Sequence, residues 1–277
     1  MAIITLLTDF GTTDEYVGVM KGVILSFNPL ATIVDITHHI NPQNIIQAAY
    51  TLQAAYPFFP KGSVHVAVVD PGVGSDRSIL ALKKQGHIFL APNNGVLTLL
   101  MQNDTVDELF SIENDAFFLK NDLNTISNTF HGRDIFSPVA AHLSMGLALS
   151  KLGPPAETQD VIRASLPQPF INENNNLIGT IIAIDHFGNL ITDIDAACLR
   201  HFYSCDANNR LEISIGNHKI NGLADSYADI APQTALTLIN SRDHLEIAIN
   251  GGNAAICLSA QKGDHVILSI KSKGELS

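Results

Sequence analysis

Tryptophan is absent from this 277-residue sequence, and aromatic residues of all kinds make up only 6% of it. Positive charge is scarce too: 16 Lys and Arg stand against 27 Asp and Glu, for a formal net charge of −11. With no Lys/Arg cluster to neutralise phosphates, the composition argues against DNA, RNA and anionic membranes as partners. An acidic field favours a cationic ligand, although acidity also serves solubility alone. Cysteine is limited to Cys198, Cys205 and Cys257, widely spaced and without a CxxC pair. That pattern speaks against a disulfide framework or a structural zinc site, so free, buried thiols in a reducing cytoplasm are expected. No run approaches the roughly 18 apolar residues of a membrane span. The N-terminal MAIITLLTDFG lacks the basic flank and the length of a signal peptide. The spacings HxH, HExxH, GxGxxG, Walker A and GxSxG are all missing. Metalloprotease, dinucleotide, P-loop and hydrolase-elbow chemistry thereby lose their main support, and no catalytic metal is expected.

What is present is apolar and well patterned, with 46% hydrophobic residues, enough for filled cores. Ile3–Leu7 reads as a buried strand, and Val17, Met20, Val23, Ile24 and Phe27 recur at helical spacing before Asn28-Pro29. Asp14 is expected to cap that helix. Ala31–Thr37 predicts a second strand, Asn44–Tyr56 a second helix and Ser63–Val69 a third strand. Gln85-Gly86 predicts a hairpin turn and Ile135–Leu147 a further helix. Strand–helix–strand repetition implies a largely parallel α/β sheet.

Between residues 151 and 176, prolines and a Glu/Asn-rich stretch break the periodicity, which predicts a linker. Beyond it, Leu177–Ile184, Leu190–Ile194, Leu211–Ile215, Ala235–Ile239, Leu245–Ile249, Ala254–Leu258 and His265–Ile270 read as short strands between turns. The expected architecture is therefore an N-terminal, mostly parallel α/β sandwich over residues 1–150 and a smaller antiparallel β-barrel-like domain over 177–277.

Ligands of open α/β sheets bind beyond the carboxyl ends of the strands. Asp9 ends the first strand, Asp70 the third, and Asn93-Asn94-Gly95 follows the apolar run Ile88–Ala91. A carboxylate such as Asp9 can accept from both hydroxyls of a ribose, or simply shape a turn; spacing leaves both open. In Asp70-Pro71-Gly72-Val73-Gly74-Ser75-Asp76-Arg77, glycines allow Arg77 to fold back on Asp70, as a water-orienting pair or a structural ion pair. His131 precedes a predicted helix and can approach the same edge; a lone histidine is more commonly structural. The turn Asp185-His186-Phe187-Gly188-Asn189 reads first as a hairpin. Its alternative role is nucleobase recognition, with Phe187 stacking, Asn189 reading an edge and Asp185 holding an amine. Asn240-Ser241-Arg242 can bind a carboxylate or open a turn.

Taken in order, these segments resemble the SAM hydroxide adenosyltransferases, relatives of the S-adenosylmethionine-dependent fluorinases and chlorinases. The likeness spans nearly the whole chain and is carried by Thr8-Asp9-Phe10-Gly11, the Asp70–Gly74 loop with Arg77 and Phe130-His131-Gly132-Arg133-Asp134. The Asp185–Asn189 turn, Asn240-Ser241-Arg242 and Asn250-Gly251-Gly252-Asn253-Ala254-Ala255 complete it. The resemblance implies hydrolysis of S-adenosyl-L-methionine (SAM) to adenosine and L-methionine with no cofactor. It further implies a homotrimer with SAM bound between the N-domain of one subunit and the C-domain of its neighbour. By the same resemblance, Asp70, Arg77 and His131 handle water, and Asp9 binds ribose. Phe187, Asn189 and the Ala255 backbone would meet adenine, and Asp185, Ser241 and Arg242 the methionine amine and carboxylate. Halogenating relatives carry an aromatic residue where Asp70 stands and a Trp near Pro42-Gln43. Asp70 therefore points to water over halide as nucleophile. A halogenase and a non-catalytic SAM or adenosine sensor are the competing readings.

Overall fold

The computed structural model describes residues 3–102, 105–203 and 209–272. The chain divides into two compact units, residues 1–165 and 166–277, with the division inside the segment that the sequence marks as a linker.

The first unit contains β1 (Ile3–Thr8), α1 (Tyr16–Phe27), β2 (Thr32–Thr37), α2 (Ile45–Ala55), β3 (Val64–Val68), β4 (Ile79–Lys84), β5 (His87–Pro92), β6 (Glu108–Ser111) and α3 (Ser137–Ser144). Its six strands lie in the order β2-β1-β3-β5-β4-β6. β1 runs parallel to β2 and β3, and β3 parallel to β5, while β4 pairs antiparallel with β5 and β6. Gln85 and Gly86, with φ of 53° and 83°, make the two-residue turn between β4 and β5.

Alternation along the strands serves two buried faces. Ile4, Leu6, Val64, Val66 and Val68 pack with Met20 and Ile24 of α1 and Val139 and Leu143 of α3. Leu7, Ala67 and Val69 instead join Ala48 and Leu52 of α2. Helices on both sides explain why these strands read as unbroken apolar runs. Each buried Leu, Ile or Val stabilises the unit by about 1.5–3 kcal/mol. Asn44 caps α2 by accepting from the Gln47 amide. The cap expected at Asp14 does not form, because α1 starts one residue later, after Glu15, with no side-chain cap.

The residues from 151 to 165 are stitched to this unit. Asn93 accepts from the Ile162 amide at 2.8 Å and donates to the Asp160 carbonyl at 3.0 Å, while Thr98 Oγ1 accepts from the Ala164 amide. Val161 enters the core. Apart from short 3-10 turns, the segment packs without regular structure.

The second unit contains β7 (Phe170–Ile171), β8 (Leu177–Ile184), β9 (Leu190–Asp195), α4 (Ala196–Phe202), β10 (Asn209–Ile215), β11 (His218–Asn221), β12 (Ala235–Ile239), β13 (His244–Ile249), α5 (Ala254–Cys257) and β14 (His265–Ser272). The strands pair antiparallel in the order β11-β10-β14-β8-β9-β13-β12, and the end strands β11 and β12 approach each other, so the sheet nearly closes into a barrel. The strand expected at Ala254–Leu258 is a correction: it forms α5, because Asn253 accepts from the Ile256 amide and starts a helical turn. The thiols also differ from expectation. Cys198 is half-buried and Cys257 exposed, both free of disulfides, and Cys205 lies outside the described residues. No helix among the described residues is long and apolar enough to cross a membrane.

Candidate active site

Thr8 of β1 pairs in register with Val68 of β3, so Asp9 and Asp70 leave adjacent parallel strands at their carboxyl ends. Asn94 joins them there by donating its amide to the Val69 carbonyl at 2.9 Å. The loop after β3 turns back within a few residues: Val73 and Ser75 donate to the Asp70 and Gly72 carbonyls. Gly74, at φ 80°, lies so close to the Asn128 carbonyl that any side chain would collide with it, which brings this loop against the segment leading to His131.

Arg77 folds back on Asp70 as its glycines allow. Nε donates to Oδ1 at 2.6 Å, and Nη2 donates to Oδ2. Nη2 also lies 3.1 Å from His131 Nδ1. Both partners of the ion pair are almost fully buried, with side-chain exposures of 8% and 4% for Arg77 and Asp70. A guanidinium can only donate, so Nδ1 of His131 accepts and its ring proton sits on Nε2. Burial holds the His131 pKa below its ordinary 6.5, and the positive charge of Arg77 adds to this against the opposing pull of Asp70 and Asp134. His131 is therefore neutral at neutral pH. Nη1 of Arg77 is buried and has no hydrogen-bond partner among the described residues. A charged donor buried in this way is set to bind a small polar ligand such as water.

His131 sits at the entrance to a π-helical turn, Gly132–Phe136, that runs directly into α3. Such widened turns recur at functional sites. Asp134, only 3% exposed, accepts from the Ser127 amide and pairs with Arg133, fixing the loop that carries His131. Phe130 packs edge to face with Phe10 and Tyr16, whose own rings are tilted at 57°, and the three, with ring centroids 5.2–6.0 Å apart, form an apolar wall beside it. Asp9 is half-buried, and its Oδ2 accepts from the Gln43 amide at 2.7 Å.

The second unit holds a cleft of about 850 Å³ lined by Asp185, Phe187, Asn189, Tyr227, Ser241, Arg242 and Glu246, among others. That volume suits a small molecule. Asp185 closes its turn by accepting from the Phe187 and Asn189 amides and from Asn189 Nδ2, so the hairpin and the cleft wall are one feature. Phe187 is 73% exposed, an uncovered ring at the rim. Ala255 donates its N–H to the Gly188 carbonyl, tying α5 to that turn, and its carbonyl accepts from Ala260.

Two family models match this chain: the SAM hydroxide adenosyltransferase N-terminal domain over residues 4–153 and the C-terminal domain over 179–267. The chain belongs to the SAM hydroxide adenosyltransferase family. It is 35% identical to a chain of Methanocaldococcus jannaschii named (R)-S-adenosyl-L-methionine hydrolase, covering 95% of this chain and 94% of that one. A crystal structure of an uncharacterized conserved protein from Thermotoga maritima matches with a TM-score of 0.87 and 37% identity, over 96% and 99% of the two chains. A chain named fluorinase from Nocardia brasiliensis is 26% identical over 97% of both.

The structure unites Asp70, Arg77 and His131 in the first unit. It unites Asp185, Phe187, Asn189, Ser241 and Arg242 in the second. Two residues that line the cleft, Glu246 and Tyr227, escaped the sequence reading. Glu246, 3% exposed, accepts from the Tyr227 hydroxyl at 2.6 Å and from Asn240 Nδ2 at 3.2 Å within the cleft. Burial, followed by the hydrogen bond and charge of Glu246, pushes the Tyr227 hydroxyl pKa upward and keeps it a donor. The available signal was a charged residue inside the apolar run Leu245–Ile249. Tyr227 had no comparable signal, since its loop is irregular. Among the described residues, no group of three or more His, Cys, Asp or Glu is arranged to hold a metal ion.

Proposed function

We propose that this chain hydrolyses SAM to adenosine and L-methionine by in-line attack of water on C5′. The observation that carries this reading is the buried Asp70–Arg77–His131 cluster with the unpartnered Nη1 of Arg77 beside it. The names of the hydrolase relatives, which specify the R configuration, support extending the reading to the R epimer.

The chemistry asks little of the protein at the leaving group. As the water oxygen bonds to C5′, the C5′–S bond breaks with its electron pair moving to sulfur, and methionine departs as a neutral thioether. No general acid is needed. The demand falls on the nucleophile, because free water has a pKa of about 15.7 and must be aimed along the C5′–S axis. Arg77 Nη1 donates to the water oxygen and aims it. His131, whose Nδ1 is already occupied by Arg77, offers only Nε2–H and takes no proton, and the second lone pair of the water stays free for C5′. Asp70 is then the proton acceptor, since each carboxylate oxygen keeps a lone pair beyond its contact with Arg77. Attack makes the C5′ oxygen strongly acidic, so an ordinary carboxylate suffices as base. No step calls for a metal.

The remaining contacts complete the reading. Asp9 holds the ribose hydroxyls; Phe187, Asn189 and the remaining lone pair of the Ala255 carbonyl meet adenine; Asp185, Ser241 and Arg242 take the methionine end. Because the two residue sets lie in different units, we place SAM between the first unit of one subunit and the second unit of its neighbour in a homotrimer. The exposed Phe187 and Ile256, at 73% and 75%, are apolar surfaces that such an assembly would cover. Free Cys198 and Cys257 suit a reducing cytoplasm.

The test is incubation of the purified protein with each sulfonium epimer of SAM, with and without added chloride or fluoride. Adenosine and methionine in equal amounts, unchanged by halide, support the reading. A 5′-halo-5′-deoxyadenosine product would make the chain a halogenase. Stoichiometric binding of SAM or adenosine without methionine release would make it a sensor.

A further inference from the structure

His38 is 3% exposed and lies at the centre of a connected polar chain. Its Nδ1 is 2.8 Å from Thr8 Oγ1, which in turn accepts from the Phe10 amide at 3.3 Å. On the other side, Nε2 faces Asp35 Oδ1 at 3.1 Å, set off the ideal hydrogen-bond line. Lys21 holds the second oxygen of Asp35 at 2.6 Å. Burial pushes the Asp35 carboxyl pKa up, but the hydrogen bonds and charges of Lys21 and His38 outweigh it and hold it below the ordinary carboxylate range. One proton arrangement suits every link: Thr8 donates to Nδ1, and Nε2–H points at the ionised Asp35.

Backbone contacts close the same ring. The His38 carbonyl accepts from the Gly11 amide at 2.7 Å, and the Ile40 amide reaches the Thr8 carbonyl. His38 therefore grips the segment Thr8–Gly11 at both ends, with Asp9 between them. We infer that His38 is a positioning residue that, through Thr8, sets the direction of the Asp9 carboxylate and hence the affinity for the ribose of the substrate. This inference rests on the ribose role proposed for Asp9. His38 touches no reacting atom, so its removal loosens substrate binding and spares the chemical step.

The experiment compares KM and kcat for SAM hydrolysis in Asp9→Asn, His38→Ala, His38→Asn, His38→Gln and Thr8→Val. Losing one neutral hydrogen bond predicts a rise in KM of about fivefold for His38→Ala, with kcat within about twofold of the parent. Asn places an amide where Nδ1 stood and restores KM, whereas Gln reaches toward Asp35 and does not. Thr8→Val, nearly isosteric and less disruptive to folding, reproduces the KM rise and adds nothing when combined with Asp9→Asn. A His38→Ala or Thr8→Val enzyme with parental KM, alongside a raised KM in Asp9→Asn, overturns the inference alone. Unchanged KM in Asp9→Asn refutes the ribose assignment, and the inference falls with it. Equal losses in kcat and kcat/KM for His38→Ala, unrescued by Asn, also overturn it.

Discussion

Arg77 engages both carboxylate oxygens of Asp70, and the nitrogen that meets Oδ2 also reaches Nδ1 of His131 at 3.1 Å. One guanidinium thus holds the carboxylate and fixes the tautomer of the imidazole, and in the proposed mechanism its Nη1 would meet the nucleophile. Removing the proton acceptor without changing its shape should therefore damage the chemical step; because it also leaves the buried Arg77 charge unpaired, turnover is read well below the unfolding temperature of the variant. Asp70→Asn is expected to lower kcat by about 10²–10⁴, the range for general-base assistance. Calorimetry should show SAM binding within a few-fold of the parent. Parental turnover in that variant would remove Asp70 from the mechanism.

The same pair has a stability signature. With side chains 8% and 4% exposed, deleting one partner strands a charge in the interior. Arg77→Met is expected to destabilise the protein by about 3–5 kcal/mol in urea unfolding, and Arg77→Met combined with Asp70→Asn to recover much of that loss. Additive destabilisation in the double variant would show that the two charges do not depend on each other.

The pH dependence of turnover follows from His131. Its pKa lies below 6.5 in the folded protein, so Nδ1 remains an acceptor as pH falls to that value and is lost only further down. The kcat profile is expected to be flat from pH 8 to 6.5 and to decline below. A midpoint above 6.5 in the wild type, abolished in His131→Gln, would contradict the neutral imidazole.

Much of this was legible in the chain. Alternating apolar runs ending in Asp9 and Asp70 placed two carboxylates at one sheet edge, because parallel strands bring their carboxyl ends together. The return of Arg77 was foreshadowed by Gly72 and Gly74. The meeting of the Asp70–Arg77 pair with His131 was not, since that residue lies 54 positions away from Arg77 in the chain. Ala254–Leu258 misled because a short apolar run has no periodicity to separate strand from helical turn, and Asn253 decided the matter. The cleft around Glu246 and Tyr227 was hidden for a similar reason: it joins an irregular loop to a strand through one side-chain contact.

Acid sensitivity should trace to another buried group. His65 donates to or accepts from Thr5 and His87 inside the first unit, and burial, reinforced by His87, lowers its pKa from 6.5 to about 3. Between those values the unfolded chain binds a proton that the folded one refuses, so stability falls as pH drops below 6.5. The slope from this residue approaches about 1.4 kcal/mol per pH unit. Urea unfolding at pH 7 and pH 5 should show a smaller difference in His65→Gln than in the parent; an identical difference would assign the acid loss elsewhere.

Side-chain chemistry alone predicts indifference to chelators. Turnover after exhaustive EDTA treatment and dialysis is expected to match that of untreated protein. Loss of activity restored by one divalent cation would contradict the scheme.

The central claim is that water attacks C5′ of SAM in a site organised by Asp70, Arg77 and His131. Hydrolysis in oxygen-18 water, followed by mass spectrometry of both products, tests it most directly. The account predicts one labelled oxygen in the adenosine 5′-hydroxyl and none in methionine. Unlabelled adenosine, or label in methionine, would contradict it.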